Sequence, residues 1–409
     1  MEQGFPRSCD IFCSVVDNYG DIGVSWRLAR QLVHEHGLSV RLWVDDLHSF
    51  GKMLPELDVL LSRQTCRGVE VRCWDSGEEG IQHGIPHHQS LPRWEREASV
   101  DLVIGAFACK LPPAYLEAMA ACARKPVWIN LEYLSAEDWV EGCHRLPSPH
   151  PALPLTKYFF FPGFTAKTGG LLLERDLQAR RDTFLSDAAA QAEYWRSLGV
   201  PQRVEGELRV SLFSYENEAM AALLAVWEHG AQPVTCLVPE GRALPQVMQY
   251  FGEACGSDFS PTAAVGLKPG PRYARGNLRV HVLPFVEQEQ YDLLLWACDI
   301  NFVRGEDSCV RAQWAAKPFV WHIYPQHDGV HLAKLEALRA RYTLGVAPET
   351  EAAVRDFWLA WNGGADIGAA WQRFVARRAV LSRHGLQWAQ RLAANNLALN
   401  LLDFSREVA

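Results

Sequence analysis

The sequence predicts an α/β protein with two Rossmann-like, doubly wound domains that face a central cleft. The chain has 409 residues, which is more than one compact hydrophobic core usually accommodates. Apolar runs of strand length alternate with amphipathic helical runs in two separate stretches, a pattern typical of parallel sheets covered by helices. Apolar residues make up 48% of the chain and charged residues 22%, as in ordinary globular proteins.

The first stretch begins with an apolar strand at residues 10–16 and an amphipathic helix at 24–36. A second helix is predicted at 115–124, and further strands at 40–44, 69–74, 102–106, 126–131 and 157–161. Residues 165–181 lose the periodicity and contain two adjacent glycines, which predicts a linker or crossover.

The second stretch repeats the alternation of strand and helix. Strands are predicted at 208–213, 234–238, 278–283, 300–303 and 319–324, helices at 219–227, at 289–298 and from near Ser308, and a surface loop at 258–275. After residue 324 the chain reads as mostly helical. We therefore expect a first domain at residues 1–180 and a second at 181–371, with the helices of 372–409 packed back on the first domain.

Composition and charge exclude several classes of protein. The net charge of −8 argues against broad nucleic-acid binding, which needs a basic surface. Charged residues interrupt the first twenty positions, and no apolar run approaches the ~18 residues of a membrane helix. The eleven cysteines form no C-x-x-C motif, so buried reduced thiols are the simplest interpretation. These features predict a cytoplasmic protein that does not associate with membranes.

The loop Arg304-Gly305-Glu306-Asp307 lies between a predicted strand and the helix that begins near Ser308. In parallel sheets, such a loop directs free backbone N–H groups and the positive end of a helix dipole at an anion. Arg304 adds a fixed positive charge, and Glu306 can accept a hydrogen bond from a sugar hydroxyl. A nucleotide-diphosphate-sugar site and an ordinary strand–helix corner with a surface ion pair fit this spacing about equally well.

Asp17-Asn18-Tyr19-Gly20-Asp21-Ile22-Gly23 follows the first predicted strand and is not a dinucleotide-binding fingerprint. It brings two carboxylates to the strand's carboxyl end, where they could act as a general base or bind a cation. Asp21 could equally be the N-cap of the following helix, which is common. Asp17 has no such structural role, which favours a functional interpretation of the pair.

Aromatic residues follow other predicted strands. Phe285 and Gln288 could stack on and hydrogen-bond a nucleobase, and Phe213 and Tyr215 end the first strand of the second domain. The histidines at 322, 327 and 331 lack a credible metal-ligand spacing, and no D-x-D motif occurs. The sequence therefore disfavours a metal-dependent sugar transferase.

Six blocks of this sequence together resemble the EarP family of protein-arginine rhamnosyltransferases, which modify bacterial elongation factor P. The blocks are residues 10–32, 42–46, 129–139, 157–164, 283–292 and 304–326. The longest ones, near Asp21 and Arg304, are the most specific. The resemblance spans most of the chain, with residues 177–275 the least diagnostic. Cys309, where the family pattern leads us to expect phenylalanine, is a mild departure.

The resemblance implies the GT-B architecture and an inverting, metal-independent transfer of L-rhamnose from dTDP-β-L-rhamnose to one arginine of elongation factor P. It implies that Asp21 is the general base, that Asp17 binds or activates the acceptor guanidinium and that Phe285 and Gln288 contact thymine. Phe213 and Tyr215 would line the donor pocket. The other implied donor contacts are Asn18, Tyr19, Gly20, Arg304, Glu306, Asp307, Ser308 and Tyr324, of which Glu306 is also counted as catalytic.

Two other functions remain open at this point. A nucleotide-sugar epimerase shares the architecture and needs no protein acceptor. A non-catalytic module that binds elongation factor P would need no base, and the intact Asp17/Asp21 pair argues against it. No metal and no cofactor beyond the donor sugar nucleotide are expected.

Overall fold

The computed structural model describes residues 6–15, 19–74, 99–252, 272–325, 329–363 and 366–409. The chain divides into two compact units. Unit 1 comprises Met1–Arg175 and Leu392–Ala409, and unit 2 comprises Asp176–Arg391. No helix among the described residues is long and apolar enough to cross a membrane.

Unit 1 is built on one sheet with the strand order β3-β4-β2-β1-β5-β6-β8-β7. The strands are β1 (Ser8–Cys13), β2 (Ser39–Val44), β3 (Arg63–Cys66), β4 (Val69–Cys73), β5 (Leu102–Ala106), β6 (Val127–Leu131), β7 (Pro147–Pro149) and β8 (Thr156–Phe160). The six inner strands run parallel, and β3 and β7 are antiparallel edge strands. The strand order reverses between β1 and β5, and ligands of doubly wound sheets bind at the carboxyl ends of the strands at such a point.

The helices of unit 1 cover this sheet. They are α1 (Gly20–His36), α2 (Leu47–Met53), α3 (Pro113–Ala121) and α4 (Val140–Cys143), and the last helix of the chain, Leu397–Val408, also belongs to this unit. The last helix packs the ring of Phe404 against Tyr158 and Phe160 of β8. Strand β5 is wholly buried and its sequence is a continuous apolar run, whereas the buried part of β1 also includes the charged residue Asp10.

Aromatic rings fill much of the core on one face of the unit 1 sheet. Phe12 stacks on Trp43 with 5.5 Å between ring centroids, and it meets Trp74 and Tyr115 edge-on. Beneath them, the buried carboxylate of Asp10 accepts hydrogen bonds from Arg41 and from the hydroxyl of Tyr115. This packing fixes the middle of β1, the strand that leads into the Asp17–Asp21 segment.

Unit 2 is built on a second sheet with the strand order β11-β12-β10-β9-β13-β14. The strands are β9 (Leu208–Leu212), β10 (Val234–Pro239), β11 (Arg272–Arg275), β12 (Leu278–Leu283), β13 (Ile300–Arg304) and β14 (Phe319–His322). All are parallel except the edge strand β11. Here the strand order reverses between β9 and β13, so their carboxyl ends are the expected ligand-binding edge.

The helices of unit 2 are α5 (Leu177–Ser186), α6 (Ala188–Ser197), α7 (Met220–His229), α8 (Leu244–Tyr250), α9 (Gln288–Ala297), α10 (Asp307–Ala315), α11 (Val330–Tyr342), α12 (Pro348–Trp361), α13 (Ile367–Ala376) and α14 (Arg378–Leu392), the last of which ends at the unit boundary. The last helix of the chain, Leu397–Val408 of unit 1, is α15. At the end of β14, Asn362 accepts from the backbone N–H of Ile323 and donates to the carbonyl of Trp321, which fixes the chain just before Tyr324.

The predicted α/β class with two Rossmann-like units is confirmed, but three local predictions were wrong. Helix α5 begins at Leu177, inside the predicted linker 165–181; its sequence is so polar that only three of its ten residues are buried. The predicted strand 319–324 ends at His322. Strand β11 occupies the end of the predicted loop 258–275, of which residues 258–271 lie outside the described residues.

Candidate active site

The turn after β13 is held together by its own residues. Gly305 adopts the left-handed region with φ +60°, and its carbonyl accepts a hydrogen bond of 2.9 Å from Trp321 Nε1. The Ser308 hydroxyl accepts from the backbone N–H of Arg304 at 3.0 Å and donates to the Arg304 carbonyl. Ser308 Oγ therefore forms its hydrogen bonds within the turn. An anion at this corner would be bound by the backbone N–H groups of the first turn of α10.

Arg304 projects from the end of β13 onto two aromatic rings that sequence analysis assigned to the same site. Its guanidinium carbon lies 4.5 Å from the ring centroid of Phe213 and 4.7 Å from that of Tyr215. The residue is only 7% exposed, so its guanidinium does not lie on the protein surface. Planar contact with aromatic faces orients the guanidinium. The structure thus brings together three of the predicted donor residues.

Tyr215 links this cation to the end of β14. Its ring meets the rings of His322 and Tyr324 edge-on, at centroid distances of 5.4 and 5.3 Å. Burial, reinforced by Arg304 and His331, lowers the pKa of His322 to about 4. His322 is therefore neutral near pH 7, and the fixed positive charge of this group is that of Arg304. Tyr324, a predicted donor residue, is 51% exposed beside it.

Helix α9 supplies a second contact with the Arg304 turn. Gln288, its first residue, donates from Nε2 to Asp307 Oδ2 at 3.2 Å. One turn later, Asp292 and Arg311 form a buried two-pronged ion pair, with distances of 2.8 and 2.7 Å, that ties α9 to α10. Two predicted donor residues are thus joined across these helices.

The remaining predicted residues of unit 2 occupy the same carboxyl edge of the sheet. Phe285 is half-buried in the segment between β12 and α9, and Glu306 is half-buried at the N-cap position of α10. Parallel strands end at the same edge of a sheet, so Phe285 lies on the edge that carries the Arg304 turn, with β10 and β9 between β12 and β13 in the strand order.

In unit 1, Asp21 lies in the first turn of α1 and is 3% exposed. Helix α1 begins at Gly20 and has Tyr19 at its N-cap position, where the Tyr19 carbonyl accepts from the N–H of Gly23 at 2.9 Å. The alternative interpretation of Asp21 as the N-cap is therefore wrong. A carboxylate in the first turn is stabilised by the helix dipole. Of the other predicted residues, Tyr19 and Gly20 are half-buried at the start of α1, and Asp17 and Asn18 lie outside the described residues.

Sequence analysis missed two charged residues beside these sites. Asp45, the residue after β2, accepts hydrogen bonds from Ser14 Oγ and from the backbone N–H of Val15. Arg242, in the loop after β10, places its guanidinium carbon 5.9 Å from the ring centroid of Tyr215. Asp45 follows the buried strand β2 directly and Arg242 lies three residues after the buried strand β10, which was the available signal. Among the described residues, no group of three or more His, Cys, Asp or Glu side chains could hold a metal ion.

A family model described as Elongation-Factor P (EF-P) rhamnosyltransferase EarP matches residues 9–406 of the chain. The chain belongs to the EarP family. The resemblance seen in the sequence blocks is thereby confirmed, and the match includes the segments that carry Asp21 and Arg304.

Curated relatives agree with this family assignment. The protein-arginine rhamnosyltransferase of Pseudomonas putida is 50% identical over 398 residues, which cover 97% of this chain and 98% of the relative. The protein-arginine rhamnosyltransferase of Pseudomonas aeruginosa is 47% identical over the same coverage.

Solved structures support the fold. One described as the structural basis for EarP-mediated arginine glycosylation of translation elongation factor EF-P matches with a TM-score of 0.66 and 37% identity, covering 98% of this chain and 99% of the other. A glycosyltransferase of Rickettsia africae matches with a TM-score of 0.51 at 8% identity and 98% coverage of both chains, which bears on the fold alone. The predicted GT-B class of glycosyltransferase fold is confirmed.

Proposed function

We propose that this protein transfers L-rhamnose from dTDP-β-L-rhamnose to the side chain of one arginine of elongation factor P, with inversion at the anomeric carbon and without a metal ion. The observation that carries this proposal is the buried guanidinium of Arg304 at the end of β13, which lies against the rings of Phe213 and Tyr215. It supplies a fixed positive charge for a diphosphate at the edge where doubly wound sheets bind nucleotides. Family membership supports the donor sugar and the protein acceptor.

Unit 2 binds the donor in this proposal. Arg304 and the N–H groups at the start of α10 stabilise the negative charge that grows on dTDP as the bond to the sugar breaks. Phe285 stacks on thymine, and Gln288 hydrogen-bonds its edge. Glu306, Asp307, Ser308 and Tyr324 surround the diphosphate and the sugar. Because the fixed cation is preorganised by its aromatic neighbours, no metal is needed at the leaving group.

Unit 1 binds the acceptor and removes its proton. An arginine side chain is protonated at any working pH, so it cannot be deprotonated before the reaction. A nitrogen of the guanidinium attacks the anomeric carbon as the bond to the dTDP oxygen breaks, through an oxocarbenium-like state. Asp21 accepts the proton from that nitrogen, and Asp17 orients the guanidinium. Since the acceptor is a translation factor, the reaction takes place in the bacterial cytoplasm.

Intact-mass spectrometry of elongation factor P tests this proposal. The factor is incubated with the protein and dTDP-β-L-rhamnose, and we expect each acceptor molecule to gain the mass of one deoxyhexose. An epimerase would change the sugar nucleotide and leave the acceptor mass unaltered. A non-catalytic binding module would bind the factor and alter neither substrate. Either of those results contradicts the proposal.

A further inference from the structure

Asp45 binds the backbone at the exit of β1. Strand β2 pairs in parallel with β1, with Cys13 opposite Val44. Asp45, the residue after β2, therefore lies beside Ser14, the residue after β1. Asp45 Oδ2 accepts from Ser14 Oγ at 2.5 Å, and Oδ1 accepts from the N–H of Val15 at 2.9 Å. All three residues are buried. Both carboxylate oxygens are thus used on two successive residues of the neighbouring chain segment.

A third contact holds the residue just before these two. The indole Nε1 of Trp74 donates to the carbonyl of Cys13 at 3.1 Å, so three consecutive residues at the end of β1 are fixed by side chains from neighbouring segments. The next residues in the sequence lead to Asp17 and then to Asp21 in the first turn of α1. A change in the direction in which the chain leaves β1 would therefore displace the carboxylate of Asp21.

Asp45 also shares a neighbour with Asp21. The thiol of Cys13 is wholly buried, and its pKa is raised by that burial and further by the negative charges of Asp21 and Asp45. The two carboxylates therefore act on one thiol at the carboxyl end of β1. Asp45 lies close to the base that we propose, but it uses both of its oxygens on the protein itself.

We propose that Asp45 is a positioning residue for arginine transfer: it fixes the exit of β1 so that the carboxylate of Asp21 meets the acceptor guanidinium correctly. This inference rests on the proposed function of Asp21. Displacement of a catalytic group by about 1 Å can slow a reaction about a hundredfold. A carboxylate that does not touch the substrate can therefore control the rate by fixing the backbone that carries the catalytic group. Binding of the dTDP part of the donor, whose proposed contacts Phe285, Gln288 and Arg304 lie in unit 2, does not depend on it.

The chain provides a matched control at the other end of the same strand. Asp101 accepts hydrogen bonds from the backbone N–H of Arg7, the N–H of Ser8 and the hydroxyl of Ser8. It is the same type of clamp, a carboxylate that binds backbone and serine, but it lies at the amino end of β1, away from Asp21. Loss of either clamp should lower stability, whereas only loss of the Asp45 clamp should disturb catalysis.

The experiment compares Asp45→Ala, Asp45→Asn and Asp101→Ala by thermal midpoint, dTDP affinity in calorimetry, and kcat with elongation factor P. We expect Asp45→Ala to bind dTDP as the unmodified protein does and to lose about tenfold or more in kcat. Asn can accept from Val15 N–H and donate to Ser14 Oγ, so Asp45→Asn should recover most of that kcat. Asp101→Ala should lower the thermal midpoint and keep kcat.

Near-normal kcat in Asp45→Ala, or an equal loss of kcat in Asp101→Ala, would overturn the inference. If Asp45→Ala does not fold, Ser14→Ala decides: a lowered kcat with unchanged dTDP affinity supports the clamp, and an unchanged kcat overturns it. Asp21→Asn is measured in parallel. If that variant transfers rhamnose at a normal rate, the proposed function of Asp21 has failed, and this outcome is distinct from a failure at Asp45.

Discussion

The loop after β1 in unit 1 and the loop after β13 in unit 2 lie on opposite sides of the point where the strand order of their sheets reverses, since β1 corresponds to β9 and β13 to β5. Each leaves a buried parallel strand next to the point where the strand order reverses, and each leads into a helix. The side chains at the two sites carry charges of opposite sign. The first loop leads to the carboxylate of Asp21, and Asp45 from the loop after β2 lies beside its start, whereas the guanidinium of Arg304 lies at the start of the second loop.

This difference indicates that the strand order of a doubly wound sheet determines where a ligand can bind. The charge of the buried side chain at that edge determines which ligand is favoured. A buried carboxylate favours a cation such as a guanidinium, and a buried guanidinium favours a diphosphate. Each charge is held differently. Two hydrogen-bond donors bind the carboxylate of Asp45, whereas the guanidinium of Arg304 lies against two aromatic rings. We therefore assign the acceptor to unit 1 and the donor to unit 2.

The largest expected effect concerns the acceptor. If the target arginine of elongation factor P is replaced by lysine, we expect no transfer. A compact ammonium cannot make the two parallel hydrogen bonds of a guanidinium to a carboxylate, and its nitrogen lies on a different stem. Intact-mass spectrometry is the measurement. Unmodified elongation factor P, assayed side by side, is the control. A rhamnosylated lysine variant would show that unit 1 does not select its acceptor through paired hydrogen bonds.

The next effect concerns the cation of unit 2. Arg304→Ala should weaken dTDP binding by about 1.5–3 kcal/mol, because a hydrogen-bonded charge at the diphosphate is lost. The matched control is Arg242→Ala: this guanidinium also lies near Tyr215, but it is farther from the ring and its side chain is 41% exposed. Calorimetry should give the larger loss for Arg304. An equal loss of dTDP affinity in the two variants would mean that burial against the aromatic rings does not give Arg304 a larger part in dTDP binding than Arg242.

A similar or smaller loss is expected at the base-binding residue. Phe285→Ala should weaken dTDP binding by about 1–3 kcal/mol if the ring stacks on thymine. Phe285→Tyr keeps an aromatic face and serves as the conservative control. Unchanged affinity in the alanine variant would remove Phe285 from the site and leave thymine recognition to other residues.

The neutral state of His322 gives a pH prediction. Its pKa is about 4 in the folded protein and 6.5 in the unfolded chain. Between these values the unfolded chain binds a proton that the folded protein does not, so the free energy of unfolding falls as the pH drops through this range. Between pH 7 and pH 5, the free energy of unfolding of His322→Gln should fall by about 1–2 kcal/mol less than that of the unmodified protein. Denaturant unfolding is the measurement. If the free energy of unfolding of this variant depends on pH as that of the unmodified protein does, His322 is not neutral in the folded protein over this range.

The smallest expected effect is that of chelation. Since Arg304 and the start of α10 stabilise the leaving group in our proposal, EDTA should leave the transfer rate unchanged. A rate that falls with EDTA and returns with Mg²⁺ or Mn²⁺ would contradict the role given to Arg304. Elongation factor P and dTDP-β-L-rhamnose at saturating concentration keep this measurement independent of substrate affinity.

Sequence reasoning succeeded where the signal was local. The turn at Arg304 was predicted because a buried strand, a glycine and a helix start follow one another within a few residues. The helix α5 was not predicted, because few of its residues are buried. The Asp45 clamp was missed for a different reason: its partners Ser14 and Val15 are about thirty residues away in the chain, so only the pairing of β1 with β2 brings them together. The proximity of Arg304, Phe213 and Tyr215 likewise depends on the strand order β9-β13.

The division of work between the two units is tested most directly by Asp21→Asn and Arg304→Ala, each measured for dTDP affinity and for transfer to elongation factor P. We expect Asp21→Asn to bind dTDP normally and to lose most transfer, because an amide cannot accept the proton. We expect Arg304→Ala to lose dTDP affinity and transfer together. Transfer at a near-normal rate by Asp21→Asn, or weakened dTDP binding in that variant, would contradict the assignment of acceptor to unit 1 and donor to unit 2.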